Sequence, residues 1–168
     1  MWYKDGLTRV NMRFTDAYTN EDGDAVISAS GILNDGSDTL KVISADLSLD
    51  RISIIVNSFI EMDDAQAFLV NPKDGSILAH RDSSMISTRL SDYGDAFLKD
   101  VGAKVADGDY SLTKIDGNMT AFSEISGTDW ILVSYIPTSI IYKDVNKVRT
   151  DMILVGLISV LILAVLIE

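Results

Sequence analysis

The dominant feature of the hydropathy pattern lies at the end of the chain. The run MILVGLISVLILAVLI begins at Met152 and ends at Ile167, sixteen residues without a charge. At ~1.5 Å rise per residue it makes roughly 24 Å of helix, slightly short of a ~30 Å hydrocarbon core. A buried helix of a soluble domain usually carries a polar stripe. Here Gly156 and Ser159 are the only interruptions. The run is therefore expected to be a transmembrane helix, with mostly polar residues before it.

Upstream, the pattern alternates between strand and helix periods. Residues 25–32 and 40–47 are rich in small and β-branched residues. Asn34-Asp35-Gly36-Ser37-Asp38 between them favours a turn, so the pair predicts an antiparallel hairpin. In its second strand Val42, Ser44 and Asp46 share one face, and Ile43, Ala45 and Leu47 the other. Asp46 is either an exposed edge carboxylate or a charge facing a polar pocket, where it needs a partner. Residues 50–60 predict a helix with Ile52, Ile55, Val56, Phe59 and Ile60 on one face. Glu61-Met62-Asp63-Asp64 ends it.

A second hairpin follows. Residues 67–70 and 76–80 flank the turn Asn71-Pro72-Lys73-Asp74-Gly75. Residues 81–90 read as loop, and 91–106 as a helix with Phe97, Val101 and Val105 on one face. Three strands then close the domain, at 110–115, 119–125 and 130–136. Pro137 stops the last, and residues 138–151 form a polar helix leading into the apolar run. Five antiparallel strands with helices make a compact α+β domain.

Composition narrows the function. The chain has 168 residues, 25 acidic against 14 basic, and a net charge of −11. That disfavours nucleic acid, since phosphate needs a basic face. Cysteine is absent, which excludes disulfides, thiolate nucleophiles and Cys-based metal sites. Met1-Trp2-Tyr3 runs into Lys4 and Asp5 without an apolar leader, so the chain is expected to be part of a longer protein. Lys143, Lys147 and Arg149 before the apolar run would, taken alone, place the preceding residues in the cytoplasm.

Catalytic chemistry finds little support. His80 is the only histidine, and no G-x-S-x-G accompanies it. The acidic turns do not follow calcium-loop spacing, because Glu21 stands where that loop needs glycine. No Gly-rich phosphate cradle and no glycosidase-type carboxylate pair is present. The expectation is a non-enzyme without cofactor or metal.

Several stretches in combination carry a family resemblance. They are Trp2-Tyr3, Phe14-Thr15-Asp16-Ala17, the strand ending in Asp46, Phe68-Leu69-Val70-Asn71-Pro72-Lys73-Asp74-Gly75-Ser76-Ile77-Leu78-Ala79-His80, and Gly127-Thr128-Asp129-Trp130-Ile131-Leu132-Val133 before Pro137. Nearly the whole chain resembles the C-terminal part of a double Cache (dCache) sensory domain of a bacterial transmembrane receptor, most often a methyl-accepting chemotaxis protein. The resemblance implies two PAS-like modules. Residues 1–49 would end the membrane-distal module and 50–137 would form the membrane-proximal one. Residues 138–151 would be a juxtamembrane helix and 152–167 the span.

It further implies an extracytoplasmic domain, against the basic residues before the span, and a homodimer. Carried over residue by residue, the ligand-binding positions are Trp2 and Tyr3 as the aromatic pair, Phe14 and Asp16, and the strand residue Asp46. Phe14 stands where the family has tyrosine, and the family's arginine would precede Met1. Such a site takes an amino acid or amine, with aromatics enclosing it and carboxylates receiving its ammonium. A rival reading keeps the sensor and changes the output to that of a histidine kinase or a diguanylate cyclase. A membrane-anchored interaction module without a small ligand is the alternative of another class.

Overall fold

The computed structural model describes residues 2–8, 11–58, 60 and 64–167; the side chains of 144, 158 and 160–167 fall outside the description. The chain folds into two antiparallel sheets in succession. A short helix α1 (Trp2–Leu7) precedes two brief strands, β1 (Arg13–Phe14) and β2 (Tyr18–Thr19). Both pair with one edge of β3 (Ala25–Leu33), and the other edge of β3 pairs with β4 (Lys41–Ser48). The expected hairpin is present, and its register sets Ser28 opposite Asp46 and Ser30 opposite Ser44.

Helix α2 (Leu49–Ser58) leads to the second sheet. Its strands are β5 (Gln66–Val70), β6 (Ile77–Ala79), β7 (Thr113–Ile115), β8 (Asn118–Glu124) and β9 (Ile131–Pro137), in the spatial order β6-β5-β9-β8-β7. This is the five-stranded sheet expected. Helix α3 (Ala96–Asp107) starts five residues later than the pattern suggests. Asp95 is the reason: its carboxylate accepts the Leu98 backbone N–H at 3.0 Å and caps the first turn. Gly108 closes the helix at φ 67°, in the left-handed region where a Cβ is penalised. The segment between β6 and α3 holds two single 3-10 turns rather than plain loop.

Both faces of the five-stranded sheet are covered. On one, Phe68, Val70, Ile77, Ile115, Phe122, Ile131 and Val133 pack against Phe97, Leu98, Val101 and Val105 of α3. On the other, Leu69 and Leu78 meet Leu49 of α2 and Ile27 of β3, with Ile52, Val56, Phe14 and Trp130 around them. Interior strand β5 thus buries consecutive residues, because its two faces meet two different cores. The second core also joins the two sheets.

Helix α2 corrects one expectation. Leu49 and Ser53 are its buried residues, Ile52 and Val56 are partly buried, and Ile55 is exposed. Leu49 lies just before the predicted helix, so the buried face is Leu49-Ile52-Ser53-Val56, rotated away from Ile55. Phe59 and residues 61–63 lie outside the described residues.

Pro137 ends β9 and precedes α4 (Thr138–Ile141); after Tyr142, α5 runs from Lys143 to Ile167. The expected membrane span, 152–167, forms the second half of α5. Among the described residues no helix is long and apolar enough to cross a membrane.

Candidate functional site

The first sheet presents an unusually polar face. Because β3 and β4 are in register, Ser28 and Ser30 stand beside Asp46 and Ser44 on the same side. Ser28 and Ser30 are fully buried, whereas Asp46 is exposed. The Ser28 hydroxyl donates to Asp46 Oδ1 at 2.5 Å, and the Tyr18 hydroxyl lies 3.4 Å from the same oxygen. Tyr18 and Ser28 are themselves 2.6 Å apart. Both bonds therefore converge on Oδ1. The hydroxyls of Ser30 and Ser44 are buried and have no hydrogen-bond partner among the described residues. Two such orphans side by side are uncommon in native folds.

Helix α1 lies across this face. Gly6 is buried there, and a Cβ at that position would collide with Val42 Cγ1 of β4. Only glycine lets the helix approach the sheet this closely. At the start of α1 the rings of Trp2 and Tyr3 meet edge to face, 5.7 Å apart at 89°. Trp2, Val42, Ile43, Ser44 and Asp46 line an open concavity of about 530 Å³.

The five residues singled out from the sequence divide between two places. Trp2 and Asp46 share the concavity on the first sheet, and Tyr3 packs on Trp2. Phe14 and Asp16 instead line a cavity of about 410 Å³ where the two sheets meet, together with Arg13, Lys73, Asp129 and Trp130. There the Phe14 ring packs on Trp130 at 4.8 Å. Across the same cavity Lys73 pairs with Asp129 at 2.6 Å. That contact, helped by the charge of Arg13, lowers the Asp129 pKa.

Tyr18 and Ser28 were not among the sequence candidates. Tyr18 brings its hydroxyl to Asp46, whereas Phe14 lines the other cavity. A signal for it existed in Tyr18-Thr19-Asn20, an aromatic two residues before a polar side chain. Asn20 itself is committed to a turn, its Oδ1 accepting the Asp24 N–H at 2.8 Å.

His80 is held by packing and backbone contacts. Its Nδ1 accepts the Asp82 N–H at 2.9 Å, and its ring lies 5.7 Å from Phe68. Burial pushes its pKa down. No serine hydroxyl or carboxylate bonds to the ring among the described residues, and no group of three or more His, Asp or Glu side chains there could hold a metal.

Known proteins share this architecture. No protein-family model matches the chain. The methyl-accepting chemotaxis protein McpG of Pseudomonas putida is 35% identical over 91 residues, covering 54% of this chain and 14% of its own length. PctB of Pseudomonas aeruginosa, also a methyl-accepting chemotaxis protein, is 27% identical over 171 residues, covering 98% of this chain and 26% of its own length. The chain thus spans about a quarter or less of these relatives. The solved ligand-binding domain of PctB in complex with L-Gln superposes with a TM-score of 0.60 at 24% identity, over 89% of this chain and 63% of that domain. The extracellular domain of mmHK1S-Z2, described as that of a histidine kinase, superposes with a TM-score of 0.62 at 18% identity, over 82% and 55%. The chain has the α+β, Cache-type fold of the dCache ligand-binding domains of chemoreceptors.

Proposed function

We propose that the chain is the extracytoplasmic ligand-sensing region of a transmembrane chemoreceptor, and that it takes a small amino acid or amine on the polar face of its first sheet. The observation that carries this reading is the Asp46 carboxylate. Ser28 and Tyr18 hold it through Oδ1, and Oδ2 accepts no bond among the described residues. An ammonium group is its natural partner, through a charge-assisted hydrogen bond. Trp2 offers an aromatic wall beside it, and a cation on such a ring gains further. The orphan hydroxyls of Ser30 and Ser44 supply unused polar capacity under the same face. Solved domains of like fold carry L-Gln in PctB, L-isoleucine in CtaA and GABA in PctC, all compounds bearing an ammonium group.

In this reading residues 1–49 end a membrane-distal module, 50–137 form the membrane-proximal module, and 138–151 link it to a span at 152–167. Phe14 and Asp16 act at the junction of the modules rather than on the ligand. A ligand with different affinities for two domain arrangements would shift their balance, and α4 and α5 would carry the change onward. The likeness to the mmHK1S-Z2 extracellular domain favours a second reading, with the same sensor driving a histidine kinase.

The test is a thermal melt of the full-length chain in detergent against a panel of amino acids and amines. A ligand at a hundredfold excess over its Kd stabilises the native state by ~2.7 kcal/mol. The melting temperature of the wild type is expected to rise, and that of folded Asp46→Ala to stay unchanged with the same compound. A wild type that shifts with no ammonium compound would sink the reading, as would an Asp46→Ala variant that shifts as fully as the wild type.

A further inference from the structure

The cavity between the two sheets has no ligand in the reading above. Its walls come from both sheets. Residues 12–16 around β1 form one side, and the β5–β6 and β8–β9 turns form the other. At about 410 Å³ it lies within the roughly 300–1,000 Å³ range of small-molecule sites. Arg13, Asp16, Lys73 and Asp129 bring four charges to it.

Lys73 and Asp129 satisfy each other. Arg13 and Asp16 do not. Neither makes an ion pair among the described residues, and both are exposed. The fold thus leaves one cation and one anion unpaired in a single cavity. A third polar group is open as well. Asn71 is buried, at 6% exposure, and its Oδ1 accepts the Lys73 backbone N–H at 3.1 Å. That bond fixes the orientation of the amide and leaves Nδ2 as a donor without a partner among the described residues. Asn71 lines the cavity, which is where that donor has room for an acceptor. The rings of Phe14 and Trp130, 4.8 Å apart, add an apolar wall.

The charges choose the occupant. A plain carboxylate would meet Arg13 and Asn71 but also the charge of Asp16. A plain amine would meet Asp16 but also the charge of Arg13. Like charges brought together disfavour both. A molecule bearing both charges answers both residues. Its carboxylate accepts from the Arg13 guanidinium and Asn71 Nδ2, its ammonium donates to Asp16, and its carbon chain lies on Phe14 and Trp130. Arg13 and Asp16 are three residues apart, so their Cα atoms are separated by at most about 11 Å, a gap that two side chains and one short molecule can bridge.

We propose that the cavity between the sheets is a second ligand site, which takes a small zwitterion between Arg13 and Asp16. Because both sheets line it, an occupant ties one to the other. The site shares no residue with the concavity at Asp46, so it stands or falls separately from the reading above.

The sequence has two tryptophans, and each lines one of the two sites. Trp2→Phe therefore leaves Trp130 as the sole indole, a reporter on the junction. The full-length Trp2→Phe protein in detergent is titrated with γ-aminobutyrate and L-glutamine, followed by Trp130 emission and by calorimetry. Butyrate and butylamine serve as singly charged controls. At least one zwitterion should bind saturably and change the Trp130 emission. The controls should bind about tenfold more weakly or worse, since each forgoes one charged contact. Arg13→Gln and Asp16→Asn should each weaken the zwitterion by a similar factor. Both side chains are exposed and unpaired, so the variants keep the unliganded fold. Asp46→Ala should leave the Trp130 response in place. The proposal is overturned by no saturable signal with either zwitterion, by a control that binds as tightly, or by Arg13→Gln and Asp16→Asn proteins that bind as well as their parent. A Trp130 response that vanishes with Asp46→Ala would also overturn it, because the signal would then originate at the first sheet.

Discussion

The two sheets are built for different ends. The five-stranded sheet has apolar side chains on both faces and a covering layer on each. The four-stranded sheet has Ile27 on one face, shared with its neighbour, and hydroxyls and a carboxylate on the other. Beyond β4 no strand follows among the described residues, and Ile43 and Leu47 are exposed along it. Stability is concentrated where apolar area is removed from water, at about 25 cal/mol per Å². Binding capacity is concentrated where polar groups stay incompletely satisfied, which costs stability. The second core, around Leu49, Leu69 and Leu78, ties one to the other.

The strongest way to break this contrast is Phe68→Ala. Phe68 is fully buried in the core under α3, and its removal should cost about 3–5 kcal/mol in denaturant unfolding. A loss under about 1 kcal/mol would mean that the five-stranded sheet is not the stable unit. Next comes Gly6→Val. It forces α1 off the first sheet and should cost about 1–3 kcal/mol. It should also weaken any ligand held beneath Trp2, which a binding titration checks.

Ser30→Ala has the opposite sign. It removes a buried hydroxyl that has no partner, so the unliganded protein should gain up to about 1 kcal/mol. If the hydroxyl serves the ligand, affinity falls in the same variant. A destabilised Ser30→Ala protein would show that the hydroxyl is satisfied after all. The smallest effect concerns pH. Burial lowers the His80 pKa below its ordinary 6.5, so below that pH the unfolded chain binds more protons than the native one. Stability should fall as pH drops through 6.5, and the decline should level off below the folded-state value. His80→Gln should flatten that part of the profile, as read from melting temperatures between about pH 7 and pH 5.

Much of the fold was legible because local signals agreed with tertiary packing. The Asn34–Asp38 and Asn71–Gly75 turns, the period-two strands and the Phe97-Val101-Val105 face each rest on neighbours in the sequence. The phase of α2 was not legible. Ile55 fits the periodicity, but the facing sheet decides which side is buried, and Leu49 sits outside the periodic run. Of the candidate site, Trp2 and Asp46 could be read and do share a concavity. Phe14 and Asp16 could be read as chemistry but not as location. Phe14 lies in, and Asp16 just after, a short strand whose place depends on pairing with Ala29 and Ser30, fifteen or more residues away.

By itself, the sequence determined the α+β class, the two hairpins, the apolar C-terminal run and the placing of Asp46 on one face with Ser44. These follow from side-chain alternation and turn chemistry, which act over a few residues. Tertiary structure alone decided that Ser28 and Tyr18 reach Asp46, that Ser30 and Ser44 are left without partners, and that Phe14 joins Trp130 between the sheets. Those outcomes depend on strand register and on how two cores share one sheet. Both are set by burying the most apolar surface at once, a property of the whole chain that no local pattern contains.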